Sequence, residues 1–169
     1  MLIKYATEKI LGSLPLILLY VLCFTELNFE SLFYIQFFSF NLNAMLIYFW
    51  TLKSPQTMGS GHIFFANLIN DVVLGLPLGT SPLTYLVLAF VATYIKSATI
   101  HPKLTTDWLA FIPAIFFSYM VNLFIIVKFS DLTVVYNDIL RNSFFTFLFF
   151  PIFYYLFNMY LLTFQRNDA

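Results

Sequence analysis

Long, uninterrupted apolar runs, separated by short polar or Gly/Pro-bearing segments, organise this chain. The runs are continuous rather than alternating, so they predict helices and argue against a β-barrel. Each is close to the roughly 20 residues needed to cross a bilayer. Six spans are predicted, at about residues 10–27, 32–52, 59–76, 81–96, 107–127 and 142–164. The expected fold is all-α: a polytopic helical membrane protein with six transmembrane helices, residues 1–169 forming one integral membrane domain.

The punctuation is specific. Lys53-Ser54-Pro55 ends the second span, and Gly75-Leu76-Pro77-Leu78-Gly79 ends the third. Ser81 offers an N-cap for the fourth span, with Pro82 in its first turn. Thr106 or Asp107 can cap the fifth. Residues 128–141 read as an exposed loop that can be part helical, and Pro15, Pro113 and Pro151 fall inside spans, where they can kink a helix.

Six crossings put both termini on one side. Lys4, Lys9, Lys53, Lys96, Lys103 and Arg166 fall on that side, and only Lys128 and Arg141 on the other. This segregation satisfies the positive-inside rule and predicts cytoplasmic termini. No cleavable leader is expected, because Thr25-Glu26-Leu27-Asn28 after the first apolar run lacks a small-x-small site.

Composition agrees with the pattern. The 169 residues are 61% hydrophobic and only 9% charged, whereas soluble domains carry about 25% charged residues. Net charge is zero and the basic residues are dispersed, which leaves no nucleic-acid patch. The single cysteine, Cys23, can make no internal disulfide and has no metal-ligand companions. No nucleophile–base grouping, metal motif or phosphate loop is present, so the chain is read as neither an enzyme nor a cofactor protein.

Polar residues within the spans are the candidate functional groups. Gln36, Ser39 and Asn43 share a helical spacing, as do Asn67, Asn70 and Asp71; Ser118 and Asn122 sit one turn apart, and Asn158 stands alone. They can line a hydrated pocket or bond across helices and hold the bundle together. Asp71 is the costliest of them, because a carboxylate in hydrocarbon costs about 2.5–3.5 kcal/mol and needs a partner, water or the interface. Its expected roles are to accept N–H bonds from the turn that follows or to contact a partner. His62 is nine positions away, about 13–14 Å along a helix, too far to pair with it. Gly75 and Gly79 are expected to supply backbone angles that a Cβ would forbid, with Pro77 stiffening the turn between them.

The middle of the chain resembles the rod-shape-determining protein MreD family. The resemblance rests on Tyr48-Phe49-Trp50-Thr51-Leu52-Lys53-Ser54-Pro55, then Gly59 and Gly61, then Asn67 through Asp71 to Gly75-Leu76-Pro77-Leu78-Gly79, then Tyr85-Leu86-Val87-Leu88-Ala89. It covers about residues 45–96. The family often has a glycine where this chain has Ala66 or Asn67. The resemblance implies a bacterial inner-membrane, non-catalytic component of the elongation machinery that maintains rod shape. Such a protein works beside MreC, the MreB filaments and the peptidoglycan synthases (RodA and a penicillin-binding protein). Asp71, Gly75, Pro77 and Gly79 become the expected docking or structural turn. The family's helical arrangement is also similar to the substrate-binding subunits of energy-coupling-factor vitamin importers. That likeness leaves an alternative in which Gln36, Asn43, Asn67 and Asn122 converge on a pocket for a small, vitamin-like molecule.

Overall fold

A computed structural model describes the backbone of residues 2–25, 39–99, 103–129 and 136–167, and the side chains of residues 12–25, 39–99, 103–129 and 136–163. Within these, six helices and no strands are found: α1 (Leu2–Phe24), α2 (Leu42–Lys53), α3 (Ser60–Leu74), α4 (Thr80–Ala98), α5 (Leu104–Phe129) and α6 (Tyr136–Asn167). Pro15, Pro113 and Pro151 lie inside α1, α5 and α6.

The short helix α2 is the hub. All nine residues from Ala44 to Leu52 are buried, so this helix has no solvent- or lipid-facing stripe. It packs against α1, α4 and α6, while α4 also packs on α3 and α5, and α1 touches α3 and α6. Aromatic rings fill the centre. Tyr48 lies 4.5 Å from Phe111 and 5.5 Å from Phe150, and Phe49 and Trp50 continue the cluster onto Phe157 of α6. Offset and edge-on ring contacts of this kind add to the area they bury.

The outer helices turn apolar surface outward. Leu109, Ile112, Phe116, Phe117, Phe124 and Val127 of α5 are all exposed. Two described stretches, Leu104–Phe129 and Tyr136–Thr163, are long and apolar enough to cross a membrane. Only 22% and 17% of their most apolar windows are buried, unlike the core helix of a water-soluble domain. Extensive exposed apolar surface marks a face that meets lipid or another protein, and these two helices suggest association with a membrane. Of the other expected spans, α1 contributes a shorter apolar helix at Gly12–Phe24.

Several boundaries differ from expectation. Residues 32–38 of the expected second span lie outside the described residues. Helix α2 begins at Leu42: Asn41 is extended (φ −99°, ψ 93°) and its side chain caps the helix by accepting from the Ala44 N–H at 2.9 Å. Ser39 and Asn43 therefore do not share a helix face. Helix α4 starts at Thr80 after Gly79, so Ser81 lies inside the first turn rather than capping it. Helix α5 starts at Leu104, and neither Thr106 nor Asp107 is its cap. The segment 128–141, expected as a loop that can be part helical, is helical through Phe129 and again from Tyr136. Gln36, Glu26, Glu30, His101 and Asp131 lie outside the described residues, as do the side chains of Lys4, Lys9 and Arg166.

Candidate functional site

The turn between α3 and α4 is built by one carboxylate. Gly75 ends α3 in the left-handed region (φ +64°), which brings the N–H groups of both Gly75 and Leu76 onto the Asp71 carbonyl. Such a left-handed residue is the common way to satisfy a helix's last carbonyls. Gly79 is also left-handed (φ +102°). Nothing lies within 4 Å of a Cβ built on either glycine, so the backbone angle, not crowding, is what calls for glycine there.

The Asp71 side chain then crosses to the next helix. Its Oδ2 accepts the Gly79 N–H at 2.7 Å and its Oδ1 accepts the Ser81 N–H at 2.9 Å. Asp71 is fully buried. Both oxygens thus satisfy donors at the start of α4 that have no partner within the helix, where the helix dipole favours a negative charge. Asn70 adds a bond to the Ser81 hydroxyl at 3.1 Å. Asp71 therefore holds the turn and does not reach its surface. Exposed groups there include Val72, Val73, Leu74 and Leu78, the last 71% exposed.

Asn43, Asn67 and Asn122 each donate to a neighbour, while the buried carbonyl oxygen of Asn43 has no hydrogen-bond partner. Asn67, fully buried, donates to the Ile63 carbonyl at 2.8 Å and accepts from the Cys23 thiol at 3.7 Å, and Asn43 donates to the same sulfur at 3.7 Å. Asn43 and Asn67 are thus brought together through Cys23. Asn122 is elsewhere, donating to the Thr84 hydroxyl at 3.2 Å. Ser118 returns its hydroxyl to the Ile115 carbonyl. His62 is exposed at the start of α3, near the Tyr20 ring. No group of three or more His, Cys, Asp or Glu able to hold a metal occurs among the described residues.

Two clusters went unread in the sequence. Near the Asp71 end of the bundle, the Asn41 amide meets the Tyr85 hydroxyl at 2.8 Å. The Tyr119 hydroxyl donates to Asn142 at 2.7 Å, Asn142 donates to Ser39 at 2.7 Å, and the Asn41 N–H donates to Thr146 at 2.8 Å. This network ties α4, α5 and α6 to the start of α2. At the opposite end, Lys53 pairs with Asp107 at 2.8 Å, Tyr154 donates to the same carboxylate at 3.1 Å, and Tyr48 donates to the Asp107 carbonyl at 3.0 Å. The Lys53 ammonium also lies 5.3 Å from the centre of the Tyr154 ring, within cation–π range. A signal for this pair existed: six spans put Lys53 and Asp107 at the same end, with opposite charges at one depth.

Comparison with protein-family models, with curated proteins and with solved structures returns no match.

Proposed function

We propose that this chain is a non-catalytic, multi-pass membrane protein that helps organise lateral wall synthesis in a rod-shaped bacterium, working beside an MreC-like protein and a peptidoglycan synthase complex. In this reading all six helices cross or enter the inner membrane, and both termini are cytoplasmic. The sequence resemblance to MreD proteins motivates it. The observation that carries it further is the α3–α4 turn. Among the residues on which the resemblance rests, Asp71, Gly75, Pro77 and Gly79 form a tight corner, with Asp71 buried beneath it and Leu74 and Leu78 exposed around it. A fixed apolar corner at the membrane rim suits a docking element better than a catalytic one.

The small-molecule alternative finds less support. Asn67 and Asn122 spend their amides on Ile63 and Thr84. Two clefts, of about 490 and 320 Å³, are lined by none of Asn43, Asn67 or Asn122.

Depletion decides between the readings. The proposal expects depleted cells to round up and the tagged protein to co-purify with an MreC-like partner. Cells that stay rod-shaped, with neither MreC nor the synthase recovered, would refute it. Calorimetry that finds a tight, saturable vitamin-like ligand would favour the alternative.

A further inference from the structure

The smaller of the two clefts lies where three helix ends meet. Leu52 and Lys53 from the end of α2, Lys96 and Thr99 from the end of α4, and Asp107 from the first turn of α5 line it. Its acid is already engaged: Asp107 accepts from Lys53 at 2.8 Å and from Tyr154 at 3.1 Å. Its cations are not used up. The Lys53 ammonium carries three donors. Asp107 takes one, the Tyr154 ring lies beside it, and 19% of the side chain is exposed. Lys96 is exposed, and no ion pair among the described residues includes it.

The chemistry of the walls, rather than their size, selects the occupant. Thr99 spends its hydroxyl on the Ile95 carbonyl at 2.8 Å, so the free donors are those of the two ammonium groups. Two cations face one carboxylate. The two helix C-termini and one N-terminus that meet there add partial charges of about half a unit each, too little to reverse the sign. Such walls favour an anion, and lysine meets phosphate as a point charge. The position points the same way. Exposed Tyr94 lies two residues before Lys96, and tyrosine collects at the level of lipid headgroups. Basic recesses between membrane helices on the cytoplasmic side hold acidic headgroups in other proteins.

We infer that this cleft binds one phosphate group, that of an acidic phospholipid headgroup or of a soluble phosphate, held between Lys96 and the unspent donors of Lys53. The lipid source rests on the membrane part of the proposed function, and neither source rests on a protein partner.

The test uses full-length protein in mild detergent, titrated with phosphatidylglycerol or with phosphatidylcholine of the same chains. Bound lipid is read by native mass spectrometry. Wild type is expected to retain one phosphatidylglycerol and to prefer it about fivefold, the weight of one lysine near an acidic surface. Lys96→Gln should lose the preference, and Lys96→Arg should keep it because the charge remains. Lys103→Gln removes an exposed lysine at the same end that is not among the cleft's walls, and the preference should survive it. Excess inorganic phosphate separates the sources. Lipid retained in its presence assigns the headgroup; lipid displaced, with phosphate uptake in calorimetry that Lys96→Gln abolishes, assigns a soluble phosphate. Equal retention of the two lipids with no uptake of phosphate, undiminished binding by Lys96→Gln, or equal losses from Lys96→Gln and Lys103→Gln would overturn the inference. Those results leave the function proposed above standing, whereas unchanged cell shape on depletion bears on that function alone.

Discussion

The Lys53 ammonium at the end of α2 lies 2.8 Å from the Asp107 carboxylate in the first turn of α5, and Tyr154 of α6 bonds to the same oxygen. One charge pair thus joins three helices. Removing either partner leaves the other charge under cover, so Lys53→Met and Asp107→Leu should each destabilise the protein. The loss should fall below the about 3–5 kcal/mol of a fully buried pair, because 19% of the Lys53 side chain is exposed. Replacing both should recover much of it. Unfolding midpoints of the four proteins in detergent complete the double-mutant cycle, and strictly additive losses would show that the pair is uncoupled.

The same pair fixes a pH dependence. Burial works to lower the Lys53 pKa, but the hydrogen bonds and charges of Asp107 and Tyr154 outweigh it, and the net shift is upward from 10.5. A lysine raised in the folded state stabilises fully below its unfolded value and loses that contribution as pH rises through the higher folded one. The stability gap between wild type and the Lys53→Met/Asp107→Leu double variant should therefore not change through Lys53 between pH 7 and 9. It should move against wild type only in stronger alkali. A gap that closes near neutrality would contradict the pairing.

Asp71 presents a contrast between two substitutions. Asp71→Asn keeps one acceptor oxygen but turns its NH2 toward the other N–H, so it should cost one unsatisfied buried donor, about 1–3 kcal/mol. Asp71→Leu leaves the Gly79 and Ser81 N–H groups without their acceptor, each a loss of about 1–3 kcal/mol if they stay buried. Thermal melts of the purified variants check the order: wild type, then Asn, then Leu. Equal melting of Asn and Leu would mean the carboxylate does not hold the turn.

How much of this was legible beforehand follows from where the information lies. The helices and the Gly75–Gly79 turn could be read because apolar runs, glycine and proline act locally. Asp71 was read as an acid that needs a partner, and its acceptor role follows from the glycine turn next to it. Asn41 was missed because a cap inside a continuous apolar stretch leaves no break in hydropathy. Asp107 was misread because a first-turn acid looks like a cap until α2 delivers Lys53 to it. The Tyr85–Asn41 and Tyr119–Asn142 contacts depend on which helices are neighbours, and no periodicity encodes that.

The two pairs of glycines separate conformation from packing. Gly79→Ala forces a Cβ into φ +102° and should cost about 1–3 kcal/mol. Gly61 sits within α3, exposed, with nothing within 4 Å of an added Cβ, so Gly61→Ala should stabilise by up to about 1 kcal/mol. Opposite shifts in melting temperature are the expected result. A neutral Gly79→Ala would show that the turn can relax.

Docking at the corner can be tested apart from stability. Leu78 is 71% exposed and makes no part of the buried core, so Leu78→Ala should leave the melting temperature nearly unchanged, as surface substitutions usually do within about 0.5 kcal/mol. If the corner meets a partner, truncating a central apolar contact should cost more than about 1 kcal/mol of binding, roughly a fivefold loss in recovery of the MreC-like protein. Asp71→Leu should lose the partner too, but with a lower melting temperature, because it deforms the corner from beneath. Recovery that Leu78→Ala and a second surface truncation, Val72→Ala, both leave intact would move the docking surface away from this turn, even if depleted cells round up as expected.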